Sequence, residues 1–280
     1  IDGNTVRVQP GVVRDQLNRA LREHGRYFAP DPSNSRITTI GGMIGVDAGG
    51  SHAVRIGSTR DHVQSLECIL SGGQRLELGR ESIIPLGNDG PSIVDVTGQP
   101  GTPSGLSVRC SQTEATLLSS LTAATGRADL IARISTLLQD FDETIRQHQP
   151  PLIRNCCGYM LRGIRNGSTL DLPRLLVGSE GTLAIFTEVT LFTSPLPQFR
   201  AAALLMFPTL EQAVCAMQVL LPLDPSACDL LDRRLLSLGR GTDLRFRDMI
   251  LPDAEAGLIV EFPGGSEQEI RERLADSQRL

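Results

Sequence analysis

The sequence contains no lysine: all 27 basic side chains are arginine. The planar guanidinium fork suits carboxylates and phosphates, but a genome-wide composition bias is the simpler source of so uniform a choice. A basic excess is missing too. Acidic residues outnumber basic ones, 32 to 27, for a net charge of −5, which argues against a nucleic-acid surface. No apolar run approaches the ~18 residues of a membrane span, and no charged-then-apolar leader opens the chain. The six cysteines show no CxxC spacing, which suits reduced thiols in a cytoplasmic protein better than a disulfide framework or a zinc site. Cys156 and Cys157 are adjacent and invite a redox reading, although neighbouring cysteines rarely bridge each other. Neither GxGxxG nor GxxxxGK[ST] occurs, so no Rossmann nucleotide site or P-loop is expected. What remains is 40% apolar and 21% charged over 280 residues. That is an ordinary globular composition, enough for one large domain or two medium ones.

Periodicity gives a coarse map. "TVRVQPGVV" reads as strand and turn, and "VRDQLNRALREHG" repeats Val13, Leu17 and Leu21 at helical spacing before Gly25. "RIGSTRDHVQSLECIL" and "GQRLELG" read as two strands joined at Gly72-Gly73. From about 81 to 113 the sequence is rich in Gly, Pro and Ser and reads as a surface excursion. Residues 114–148 read as a pair of amphipathic helices broken near Gly126. "DLPRLLVGSEGTLAIFTEVTLFTSPLP" starts as a helix, breaks at Gly178 and resumes as strand. Beyond Pro195 and Pro197 the order is strand, helix, a further helix over "SACDLLDRRLLSLG", strand, helix: an α+β layer.

Two glycine clusters carry the chemistry. "TIGGMIGVDAGG" (39–50) holds Gly41, Gly42, Gly45, Gly49 and Gly50; "GSEGT" begins at Gly178. Glycine removes the β-carbon, tolerates positive φ and lets backbone approach a ligand closely, and successive N–H groups in such turns suit phosphate. Alone, either cluster fits a plain loop equally well.

In context they are more specific. "PDPSNSRITTIGGMIGVDAGGSHAVRIGSTRDHVQSLECIL" resembles the flavin-contacting segment of the vanillyl-alcohol-oxidase, or PCMH, type of FAD-binding domain. "CCGYMLRGI" followed by "DLPRLLVGSEGTLAIFTEVTLFTSPLP" resembles the segment that closes it. The wording is most similar to the D-lactate, glycolate and D-2-hydroxyglutarate dehydrogenase branch, including its large members with a downstream iron–sulfur region. The resemblance covers residues 5–200 and continues more weakly beyond. It implies FAD as cofactor, with Pro32, Ser33, Thr39, Ile40, Gly41, Gly42, Asp47, Ala48 and Gly50 along the flavin and Gly57 and Asp61 just behind. Glu180, Gly181 and Ile185 would meet the ADP half, Ile185 through its main chain. Asp61 fits a cap or an arginine partner as well as a ligand role. Thr39 fits an ordinary strand residue, and Glu180 a turn. His52, beside the implied ring, fits a proton-transfer group, a covalent attachment point or a solvated loop residue.

The departures matter as much. The family's "RGxGT"-like pyrophosphate loop, its "HxxHxxDGNxH"-like metal motif and the CxxCxxC clusters of the iron–sulfur extension are absent from this sequence. With Ile1 in first place, the chain reads as a central piece of a longer enzyme, with no metal ligands and no catalytic base of its own. The expectation is an α+β fold: the second flavin-binding subdomain over 1–197, a mixed sheet flanked by helices with a helical insert near 114–148, then a partial substrate-binding domain over 198–280. The implied reaction is oxidation of a small D-2-hydroxyacid by hydride transfer to flavin N5. Among Arg233, Arg234, Arg245 and Arg247 nothing selects a carboxylate anchor. A sugar or lactone oxidase of the same superfamily is the alternative enzyme. A scaffold with an empty flavin groove is the alternative outside enzymology, and weak FAD retention is expected of the isolated chain.

Overall fold

The computed structural model describes residues 1–86, 90–95, 114–149 and 157–279. The chain divides into two compact units. The first gathers Ile1–Arg19, Asn34–Ala48 and Ser58–Thr193; the second gathers Ala20–Ser33, Gly49–Gly57 and Ser194–Leu280.

The first unit is built on an antiparallel sheet in the order Thr5–Val8, Ile185–Phe192, Val63–Ile69, Arg75–Leu78. Val6, Leu66, Cys68, Leu76, Leu78, Val189 and Leu191 all bury their side chains, at about 1.5–3 kcal/mol each for the large aliphatics. A second sheet runs Gly90–Asp95, Arg80–Leu86, Thr169–Asp171, Arg165–Asn166. The stretch expected as a surface excursion is therefore partly paired: Glu81 opposes Asp95 and Leu86 opposes Gly90. Residues 96–113 of that expectation, and Cys110 and Cys156, lie outside the described residues. The expected break at Gly126 does not occur. One helix runs through it, Glu114–Asp140, and the interruption falls at Phe141, before Asp142–His148. A lone glycine costs a helix only about 1 kcal/mol, which the rest of a long helix can absorb.

The glycine-rich stretch 39–50 is helical over Ile40–Val46, where a plain loop was one of two open readings. Thr39 caps it, its hydroxyl accepting from Gly42 N–H at 3.1 Å. Ile40, Met43 and Ile44, at helical spacing, are fully buried, and the glycines occupy the intervening positions. Burial of that stripe outweighs the poor helix propensity of glycine. Gly41 is required on steric grounds: a β-carbon there would sit 2.7 Å from the Pro10 side chain. The helix ends at Asp47 in the left-handed region, φ 51°.

The second unit has a three-stranded antiparallel sheet, Phe199–Phe207, Ala256–Gly264, Ala227–Asp232, with Ala256–Gly264 central. One face packs Leu258, Val260 and Phe262 with Leu205 and Phe207 against Ala213, Met217 and Leu220 of the helix Leu210–Leu220. The other packs Leu204, Met206 and Leu231 against Leu236 and Ile250. "SACDLLDRRLLSLG" is not one helix. Ala227–Asp232 is a strand, and Asp232 then caps the helix Arg233–Thr242. Among the described residues, no helix is long and apolar enough to cross a membrane.

Candidate flavin-contacting site

In the first unit the two glycine clusters bond directly to each other. Gly178 N–H donates to the Ile44 carbonyl at 2.8 Å, and Glu180 N–H to the Gly45 carbonyl at 2.9 Å. An ion pair secures the junction from within. Asp47 accepts from Arg60 N–H at 2.9 Å and meets its guanidinium at 3.3 Å. The same guanidinium donates to the Val177 carbonyl at 2.8 Å. Both side chains are almost wholly buried, at 2% and 5% exposure. Gly178 belongs to this lock, since a β-carbon there would lie 2.7 Å from the Arg60 guanidinium and its φ is +85°. Thr59 adds a bond from its hydroxyl to the Ala48 carbonyl, 2.6 Å.

Around this lock the expected residues fall into two groups. Thr39, Ile40, Gly41, Gly42, Asp47 and Ala48 are engaged by the chain itself, as cap, core, close approach or ion pair. Glu180, Gly181 and Ile185 leave an open surface, and Gly45, which the resemblance did not assign to the flavin, joins them. An added β-carbon at Gly45 or Gly181 would meet nothing within 4 Å. Glu180 is exposed with φ 52°, and Ile185 is 69% exposed at the start of its strand. Beside them the buried Ser179 hydroxyl finds no hydrogen-bond partner among the described residues. A bare ridge fits a flat polar ligand such as FAD. Asp61 accepts from Ser58 N–H at 3.0 Å and from Arg174 at 3.0 Å, so it both caps the turn Thr59–His62 and takes an arginine partner.

Pro32, Ser33, Gly50 and Gly57 belong to the second unit. Gly50 is pressed against the Asp31 backbone: a β-carbon would lie 2.0 Å from that carbonyl oxygen. Gly57 ends the short helix Ala53–Ile56 at φ 79°. His52 is no free loop histidine. Its Nδ1 lies 2.5 Å from Asp31 Oδ2 and its Nε2 3.0 Å from Glu261 Oε1. The two carboxylates, bonded to the ring, raise its pKa from 6.5 to about 9, Asp31 first. In return the ring holds the Glu261 carboxyl below its ordinary value. Nearby, burial above all raises the Tyr27 phenol, with Arg200, Asp31, Glu261 and Arg55 as smaller influences. Asp31 and Glu261 drew no attention as sequence. The sequence allowed Asp61 an arginine partner such as Arg60, but the carboxylate of Arg60 is Asp47. Of the four arginines left unsorted, Arg233 pairs with Glu255 and Arg245 with Asp243, both at the surface. Among the described residues, no group of three His, Cys, Asp or Glu has the geometry of a metal site.

Residues 1–79 match the family model of the FAD binding domain, and residues 196–280 that of the FAD linked oxidases' C-terminal domain. Both matched domains are those of FAD-linked oxidases, the PCMH type that the sequence resembles. It is 31% identical over 277 residues to a D-2-hydroxyglutarate dehydrogenase of Pantoea ananatis, covering 96% of this chain and 24% of that protein. A D-lactate dehydrogenase of Archaeoglobus fulgidus is 24% identical over 268 residues, 95% of this chain and 42% of the other. Glycolate oxidase subunit GlcD of Bacillus subtilis is 41% identical over 75 residues, 27% of this chain and 16% of that one. Among solved structures, an alkyldihydroxyacetonephosphate synthase shares the fold, with a TM-score of 0.58 at 16% identity over 99% of this chain and 38% of that chain. The chain thus spans about a quarter of the length of the D-2-hydroxyglutarate dehydrogenases it matches.

Proposed function

We propose that the chain carries flavin-contacting and substrate-domain elements of an enzyme that oxidises a D-2-hydroxyacid of the D-lactate, glycolate or D-2-hydroxyglutarate type. The observation that carries the reading is the pair of amide–carbonyl bonds from Gly178 and Glu180 to Ile44 and Gly45. They bring two clusters far apart in sequence onto one ridge, with Gly45, Gly181 and Ile185 left open. FAD supplies the hydride acceptor, at N5. The chain's own part is binding and placement. Gly45 and Gly181 offer close backbone approach, Ile185 its main chain for the adenine, and Glu180 a turn held in the left-handed region. Asp47, Arg60 and Gly178 hold the ridge, with Thr39, Ile40, Gly41, Gly42 and Ala48 as its foundation and Asp61 behind. Pro32, Ser33, Gly50 and Gly57 lie in the second unit. The relatives' names favour a hydroxyacid over a sugar or lactone. Cys68, Cys215 and Cys228 are unbridged, in keeping with a reducing cytoplasm.

Titration of the chain with FAD, followed by quenching of flavin fluorescence, tests the binding half of this proposal. Saturable quenching is expected, weakened at least tenfold by Gly45→Leu, whose β-carbon would meet nothing within 4 Å, with no loss of thermal stability expected. Absence of saturable quenching, or an unaffected Gly45→Leu variant, overturns the assignment of this ridge. A spectrum of hydroxyacids offered to the full-length enzyme, with flavin bleaching as the readout, tests the substrate class.

A further inference from the structure

We propose that His52 is a positioning residue: an imidazolium held between Asp31 and Glu261 that pins the loops carrying Pro32, Ser33, Gly50 and Gly57 to the central strand Ala256–Gly264. The geometry requires a charged ring. Each ring nitrogen faces a carboxylate oxygen, at 2.5 Å and 3.0 Å. Ionised carboxylates only accept, and only the protonated imidazole donates from both nitrogens. A neutral ring would turn a lone pair towards one of the two anions.

Each partner is itself held. Asp31 takes the His52 backbone N–H on Oδ1 at 3.4 Å, while its carbonyl abuts Gly50, where no side chain fits. Glu261 sits mid-strand, opposite Ala202 on one side and Ala227 on the other. These small neighbours leave the space above it free for a ring. Its Oε1 also accepts from the Ser226 hydroxyl at 3.0 Å, and Arg200 lies 3.8 Å away. On the histidine's own segment, Arg55 is drawn off by Asp224 at 2.7 Å. The charged and titratable groups around the ring are therefore Asp31, Glu261, Arg200, Arg55, Asp224 and Tyr27. Two carboxylates bond the ring directly, and no cation does.

Such a ring is a poor general base at neutral pH, because both nitrogens already carry protons and both are engaged. Its work is mechanical. The folded-state pKa lies above the ordinary imidazole value, so the clamp is complete below about 6.5 and is lost as pH rises through about 9. The link from clamp to cofactor rests on the flavin reading above; the clamp does not.

Nitrogen-15 NMR of the histidine rings in this chain tests the clamp directly, with His52 assigned by the signals lost in His52→Gln. Both ring nitrogens should be protonated at pH 7.5, with a midpoint near 9 that falls by at least one unit in Asp31→Asn and again in Glu261→Gln. A midpoint near 6.5, or one indifferent to both substitutions, overturns the proposal. Hydrogen exchange reads the mechanical role. After correction for intrinsic rates, protection of the amides in 49–57 should drop at least tenfold across that titration in the native chain and be low and pH-independent in His52→Gln. Protection that ignores the titration removes the positioning role, and Asp31→Asn serves if His52→Gln fails to fold. FAD quenching across the same range is a third arm. If the native chain binds no FAD, the flavin reading falls while titration and exchange still decide the clamp.

Discussion

The two units fasten their glycine-bearing segments with different ionic devices. In the first, Asp47 and Arg60 are almost wholly buried, and the cation cannot lose its proton in any accessible range. In the second, His52, Asp31 and Glu261 are each a fifth to a quarter exposed, and the cation titrates. The deep pair is permanent and costly to break; the shallow trio is weaker and adjustable. Glycine is treated alike in both. At Gly178 and Gly50 the missing β-carbon makes room for protein atoms.

Breaking the deep lock should cost most. Arg60→Met leaves Asp47 buried and unpaired, and a loss of about 3–5 kcal/mol is expected in denaturant melts. Adding Asp47→Asn should recover part of it, whereas an additive double variant would mean the pair is not coupled. Gly50→Ala comes next. Its methyl would overlap the Asp31 carbonyl, and about 1–3 kcal/mol should be lost, read as a lower melting temperature. His52→Gln should cost about 1–2 kcal/mol at pH 6, discounted for partial exposure. That difference should shrink to nothing by pH 10, so the variant's stability should be flat where the native chain declines. On the acid side the sign reverses. Glu261, held low by His52, contributes above its ordinary value and ceases to as pH falls through its lowered one. Thr39→Ala, removing the cap of Ile40–Val46, should cost about 1 kcal/mol, mildest of the four.

Much of the architecture was legible. The helix Arg14–Arg22, the strands Val63–Ile69 and Arg75–Leu78, the break at Gly178 and the strand–turn–helix after Pro197 all follow from local periodicity. Four elements were not legible, for one shared reason. Ile40–Val46 contains three glycines, yet its buried stripe and Thr39 cap make it helical. Ala227–Asp232 is leucine-rich and reads as helix, yet it pairs with Ala256–Gly264 as a sheet edge. Arg80–Leu86 and Gly90–Asp95 look loose, yet they pair with each other. In each case contacts remote in sequence, or burial, overrode local propensity.

By itself the sequence determined the α+β class, the flavin family and the two glycine clusters, because these depend on residue type and short-range order. Only the tertiary structure decided which glycines the chain itself packs against. It alone separated Gly45 and Gly181, which stay open, from Gly41, Gly50 and Gly178, which are filled by Pro10, Asp31 and Arg60. It alone joined His52 to Glu261, 209 residues away. A carboxylate inside "LIVEFPGG" carries no local sign of its partner, since charge pairing depends on distance in space, which the chain's order does not record.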